Sequence, residues 1–133
     1  MLLVAVITGW AASKHCASGG LKAAEIEAGV VLMRTGIEAG DPGVLDDAED
    51  HFVDAASVSV VDAYPAFLLR TNRSIQATLR GEPERPDPLV DAVAKRDWEA
   101  ARKEIETLGP PGTKPREYWE RLLAELGSTR GAR

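Results

Sequence analysis

Asp47 and His51 stand four residues apart within DDAEDHFVDAAS, residues 46–57. On a helix that spacing sets a carboxylate and an imidazole on one face, as two ligands of a divalent metal must be. Asp46, Glu49 and Asp50 crowd the same two turns. Two ligands seldom hold zinc or nickel unaided, so a metal at Asp47, Glu49 and His51 needs donors from elsewhere in the fold. The competing reading is an acidic solvent face that happens to carry a histidine. His15 and Cys16 adjoin, but a nucleophilic thiol needs a base in space and a lowered pKa. The end of an apolar segment favours a buried thiol instead. No phosphate-cradling glycine loop, nucleophile elbow, CxxC or HExxH occurs. No catalytic residues are assigned, and the chain is not expected to be an enzyme.

The elements that must position these side chains read as helices. The 133 residues are enough for one domain with one core. MLLVAVITGWAA, at the N-terminus, is apolar for about twelve residues, too short to span a bilayer. It lacks the basic lead of a secretory signal, and a core helix over roughly Leu2–Cys16 is expected. No capping residue precedes it, which suggests a segment lost upstream or a start codon placed late. ASGG then reads as a break. The segment LKAAEIEAGVVLMRTGIEAG ends at Gly40, a suitable residue just past a helix. It carries two apolar stripes, Leu21, Ala24, Ala28, Val31 and Leu32, and Ile26, Val30, Met33 and Ile37. Two stripes predict a helix buried on more than one side.

Asp41 and Pro42 supply an N-cap and a first-turn proline for a helix to about Ser57, with Leu45, Ala48, Phe52, Val53 and Ala56 inward. SVSVVDAYP is too short and isolated to build a sheet. It reads as a helix end and a new start capped by Asp62, with Phe67, Leu68, Ile75 and Leu79 inward and a stop at Gly81. After the proline-rich linker GEPERPDP come PLVDAVAK and DWEAARKEIETL, a helical hairpin with Asp97 as cap. A last helix, REYWERLLAEL, buries Trp119, Leu122, Leu123 and Leu126, and the tail GSTRGAR is expected to fray. The fold class is therefore all-α, an antiparallel bundle of six or seven helices.

Charge is uneven. Residues 1–66 hold 3 Lys/Arg against 10 Asp/Glu, and residues 67–133 hold 13 against 11. The acidic first half is ill suited to nucleic acid. Arg70, Arg73, Arg80 and Arg85, interleaved with acids, read as a solvated helix face. A single cysteine excludes a disulfide within the chain and fits a reducing cytoplasm.

In order and spacing these segments resemble the effector-binding C-terminal domain of FadR-type regulators in the GntR superfamily, the FCD domain. The likeness covers about Val6 to Leu108. WAASKHCASGGL is similar to LAAxRAT..DL, GDPGVLDDAEDHF to GD..AL..AD..FH, and PLVDAVAKRDWEAARKEI to H..I..AI..GD...A. The resemblance implies residues 1–112 as an FCD-like bundle and 113–133 as an additional helix and tail. It implies effector binding or dimerisation in transcriptional control, with a small carboxylate metabolite as ligand. Arg70, Asn72 and Arg73 would then sit on the helix that contributes to the effector cavity, where arginines bind carboxylates through paired hydrogen bonds.

The departures are informative. The chain has no winged helix-turn-helix, so no direct nucleic-acid binding is inherited. The family's metal site uses an Asp and three His. With Phe52 inward, Glu49 takes the carboxylate position, and Val53, Pro86 and a residue near Leu108 take the histidine positions. The metal centre is read as degenerate, Glu49 remains a candidate ligand-binding carboxylate, and no cofactor is expected. A shifted register, with Asp47 and His51 as the pair, would put Asp50 where the phenylalanine packs. The expected partners are a second copy or another protein, with no membrane. An alternative function is a helical interaction module that binds a protein through YWERLLAEL.

Overall fold

The computed structural model describes residues 18–59 and 61–127. Six helices follow in order: α1 (Ser18–Ala39), α2 (Pro42–Ser57), α3 (Tyr64–Leu79), α4 (Pro88–Ala94), α5 (Trp98–Glu106) and α6 (Lys114–Glu125). No strand occurs among the described residues. None of their helices is long and apolar enough to cross a membrane. The expected helix over Leu2–Cys16, with His15 and Cys16, lies outside the described residues, as does the tail beyond Gly127.

Backbone chemistry at the junctions explains where the helices stop. Gly40 adopts φ 63°. There Gly40 N–H donates to Ile37 O, and Asp41 N–H to Gly36 O at 2.8 Å. This pair of bonds satisfies carbonyls that a helix end would otherwise leave open. Asp41 then caps α2 by accepting from Gly43 N–H at 2.9 Å. The α4–α5 junction repeats the pattern: Asp97 N–H donates to Ala92 O at 2.8 Å, and Asp97 caps α5 by accepting from Ala100 N–H. Here the left-handed residue is Arg96, at φ 60°.

α1 packs against α2 and α2 against α3; α4 contacts α3 and α5, and α5 contacts α6. Phe52, Leu45 and Ala48 are fully buried. Phe52 lies against Gly29, where an added Cβ would stand 2.5 Å from its ring. α6 joins the same core through Trp119, Leu122, Leu123 and Leu126. Trp119 meets the Phe67 ring edge-on, and Tyr118 packs against both Tyr64 and Phe67.

Three expectations need correction. ASGG is not wholly a break, because α1 begins at Ser18 and takes both glycines into its first turn. On α2 the buried residue is Ala55, while Val53 is 42 % exposed and Ala56 half-buried. α2 lies between α1 and α3, so its inward line is Leu45, Ala48, Phe52, Ala55, and Val53 falls on the flank. Among the described residues α1 is buried along one stripe only: Ile26, Val30, Met33 and Ile37 are inside, but Val31 is 48 % exposed.

Candidate functional site

With Phe52 turned inward, geometry fixes the rest of α2. Glu49 projects toward α3, His51 toward α1, and Asp47 and Asp50 outward to solvent. Glu49 Oε1 accepts from Arg73 Nε at 2.9 Å. One turn earlier, Asp46 accepts from Gln76 Nε2 and from Arg80 Nη2, the latter at 3.1 Å. His51 Nδ1 meets Glu25 Oε2 of α1 at 2.7 Å. Asp47 and His51 therefore do not act as a pair, since the imidazole's partner comes from another helix.

The four candidate ligand-binding residues separate. Glu49 and Arg73 meet directly, and Arg70 is exposed. Asn72 is fully buried and donates through Nδ2 to Leu45 O at 2.8 Å. Its Oδ1 is buried with no hydrogen-bond partner among the described residues. A buried amide oxygen left unpaired costs about 1–3 kcal/mol, which marks this position as a polar point inside the core.

The positions the resemblance assigns to a metal do not fit one. Of Glu49, Val53, Pro86 and Leu108 only Glu49 offers a donor, and Arg73 already engages it. Val53 and Leu108 face outward. Among the described residues no three His, Cys, Asp or Glu side chains are placed to hold a metal ion.

A second polar cluster was not singled out from the sequence. Tyr64, fully buried at the start of α3, donates its hydroxyl to Glu125 Oε1 of α6 at 3.0 Å. Arg121 stacks over the Tyr64 ring, 3.9 Å from its centre, and donates to the same carboxylate oxygen at 2.8 Å. Arg34 of α1 donates to Glu125 O at 2.5 Å, so it completes the C-terminal end of α6. Asp62 pairs with Lys22 at 3.3 Å and accepts from Tyr64 N–H. That backbone bond, followed by Lys22, holds the Asp62 carboxyl below its usual range. Burial first, and then the Glu125 charge, push the Tyr64 hydroxyl well above its usual range. The phenol is thus held as a neutral donor to Glu125.

This cluster borders an open cleft of about 580 Å³ between α1 and α6, with Ile26, Val30 and Val31 on its α1 wall and Arg121 and Glu125 opposite. A smaller groove of about 280 Å³ runs between α5 and α6 past Arg102, Ile105 and Arg116. Neither is lined by Glu49, Arg70, Asn72 or Arg73. Of the apolar residues in YWERLLAEL, Trp119, Leu122, Leu123 and Leu126 are buried, Tyr118 is half-buried and Ala124 is exposed. Comparison of the chain with protein-family models, with curated proteins and with solved structures returns no match.

Proposed function

We propose that this chain is an FCD-like effector-binding domain, related to those of GntR-type transcription regulators, that works without a metal. The observation that carries the reading is the backbone at Arg96. The resembled pattern GD falls at Gly40–Asp41 and at Arg96–Asp97, and both sites have the same helix-ending bonds and an Asp cap, which accepts from Gly43 N–H at the first and from Ala100 N–H at the second. At the second site arginine occupies the glycine position but keeps the left-handed conformation, φ 60°, that glycine adopts freely. A backbone held this way against an L side chain's preference, by roughly 1–2 kcal/mol, fits the glycine of the resembled pattern at that position; the same bonds at Gly81–Glu82, which that pattern does not include, are a common helix ending.

The ligand in this reading is a small carboxylate, bound on the α2–α3 face. Arg73 is more than half exposed and, among the described residues, hydrogen-bonds only to Glu49. An incoming carboxylate would replace Glu49 on the guanidinium through paired hydrogen bonds. The released Glu49 would loosen α2 from α3, and the ligand would shift the population of their packing toward the bound form. A thermal-shift series on the full chain with small mono- and dicarboxylic acids tests this. At least one acid is expected to raise Tm. The rise should vanish in Arg73→Ala and grow in Glu49→Gln, where Arg73 has no competing carboxylate. A flat response across the series overturns the reading.

A further inference from the structure

Glu27, Val30, Val31 and Arg34 share one face of α1, at helical positions i, i+3, i+4 and i+7, and all four line the cleft beside α6. Lys22, Asp62, Arg121 and Glu125 also border that cleft, and these four charges are matched there. Lys22 meets Asp62 at 3.3 Å, and Arg121 meets Glu125 at 2.8 Å. One charge of each sign is left over. Arg34 gives its Nη2 to the Glu125 carbonyl, and its buried Nε has no acceptor among the described residues. Every Asp and Glu of the chain lies among the described residues, and none forms an ion pair with Arg34. Glu27 is exposed and has no cationic partner among the described residues. We propose that the cleft binds a linear zwitterion, a short peptide or an ω-amino acid, with its carboxylate on Arg34 and its ammonium on Glu27.

Spacing and charge select this ligand class. Two turns of helix separate Glu27 from Arg34, about 10 Å at 1.5 Å per residue. Three extended residues of peptide span about the same distance between their charged ends. The cleft, at about 580 Å³, has the size of a small-molecule site, roughly 300–1,000 Å³. Val31, 48 % exposed, stands between the two charges and offers apolar surface to the spacer. A simple anion on Arg34 would face Glu27 unmatched, and a simple cation on Glu27 would face Arg34. A zwitterion matches both. The guanidinium carries five N–H donors in a fixed fork, so the bond to the Glu125 carbonyl leaves donors for a carboxylate. That bond also fixes the Arg34 side chain before ligand arrives, which lowers the ordering cost of binding. The inference is independent of the effector reading, which concerns Arg73 on the α2–α3 face.

Titration calorimetry on the full chain tests it. The probes are trialanine and 8-aminooctanoate, with octanoate and octylamine as singly charged controls. At least one zwitterion is expected to bind about ten-fold more tightly than either control, and the better of the two assigns the spacer as peptide or aliphatic. Arg34→Gln should weaken that binding at least about ten-fold, because a charge-assisted bond is lost. Glu27→Gln, at an exposed position that leaves the fold intact, should weaken it about three-fold, as removal of an exposed ion pair does. The same change should leave octanoate no weaker. Arg73→Ala should leave the zwitterion's affinity unchanged, which separates this site from the effector face. No binding of either zwitterion at about 10 mM, controls that bind as tightly, or an affinity indifferent to Glu27→Gln overturns the proposal.

Discussion

Glu49 and Arg73 meet at 2.9 Å on a face underlain by solid core, with Phe52 and Leu45 fully buried beneath. Arg121 and Glu125 meet at 2.8 Å on the rim of a cleft of about 580 Å³. The first pair is one rung of a ladder in which each side chain serves the other: Glu49 with Arg73, Asp46 with Gln76 and Arg80. The second belongs to a hub in which one residue, Glu125, takes a phenol and a guanidinium on its carboxylate and another guanidinium on its carbonyl. Removing a rung weakens only the contact between α2 and α3. Removing the hub loosens α6 from α3 and α1 together. Charged residues on a helix surface are thus a poor guide to which polar groups hold a fold. Burial of one partner, here Tyr64, is the better guide.

The largest effect tests the solidity of the α2–α3 side. Phe52→Ala should cost about 3–5 kcal/mol, because a fully buried ring is lost against Gly29 and the helices can close only partly. Urea denaturation measures it. A loss below about 1 kcal/mol would mean that the core there is as open as the cleft.

The next effect falls on the hub. Tyr64→Phe keeps the ring and its contacts with Phe67 and Tyr118 but removes the donor to Glu125. It should cost about 0.5–1.5 kcal/mol, the net worth of one hydrogen bond, because Glu125 is only part-buried and keeps its bond from Arg121. The alkaline behaviour separates this from packing. With its folded pKa raised, wild-type Tyr64 contributes stability in full below the ordinary tyrosine range. As the pH climbs past about 10, the unfolded chain ionises first and that stability is lost. The gap between wild type and Tyr64→Phe should therefore narrow above pH 10. A constant gap would remove the hydroxyl from the account.

Asp62→Asn should show a smaller loss with the opposite pH sense. The folded carboxyl titrates low because it accepts from Tyr64 N–H and faces Lys22. Its contribution is present above the ordinary carboxylate range and fades as the pH falls below about 4. Asparagine can still accept from the backbone, so only the attraction to Lys22 is removed. Stability curves of the two proteins should converge in acid, and parallel curves would show that Asp62 acts by shape alone.

Much of this architecture was legible in the chain. Asp41, Pro42, Gly40 and Asp97 announce helix ends by residue type: the aspartates accept from orphan N–H groups, Pro42 lacks one, and Gly40 turns left-handed without strain. The apolar spacing of Trp119, Leu122, Leu123 and Leu126 marks a buried face, and all four are buried. Val53 is apolar in type but wrong in angle: Ala55, small and inconspicuous, lies on the line through Phe52. The polar contacts were the least legible. His51 meets Glu25 across 26 positions, and Tyr64 meets Glu125 across 61. No spacing rule links such residues, because the packing of separate helices brings them together. The Asp47/His51 spacing, by contrast, was plain in sequence, and the fold turns the two side chains to different surroundings.

The smallest effect decides whether the ladder is free to do anything but hold helices. Glu49 and Arg73 are partly exposed, so solvent and salt screen their attraction. A double-mutant cycle with Glu49→Gln and Arg73→Ala should give a coupling of about 0.2–1 kcal/mol, the range of exposed pairs. The same cycle on Tyr64→Phe and Glu125→Gln should give more, because one partner is buried. A weak Glu49–Arg73 coupling is also what the effector reading requires, since a millimolar carboxylate has only about 4 kcal/mol of binding free energy with which to replace Glu49. A coupling above about 2 kcal/mol would make the ladder as firm as the hub, and Arg73 would then be a structural cation closed to ligand.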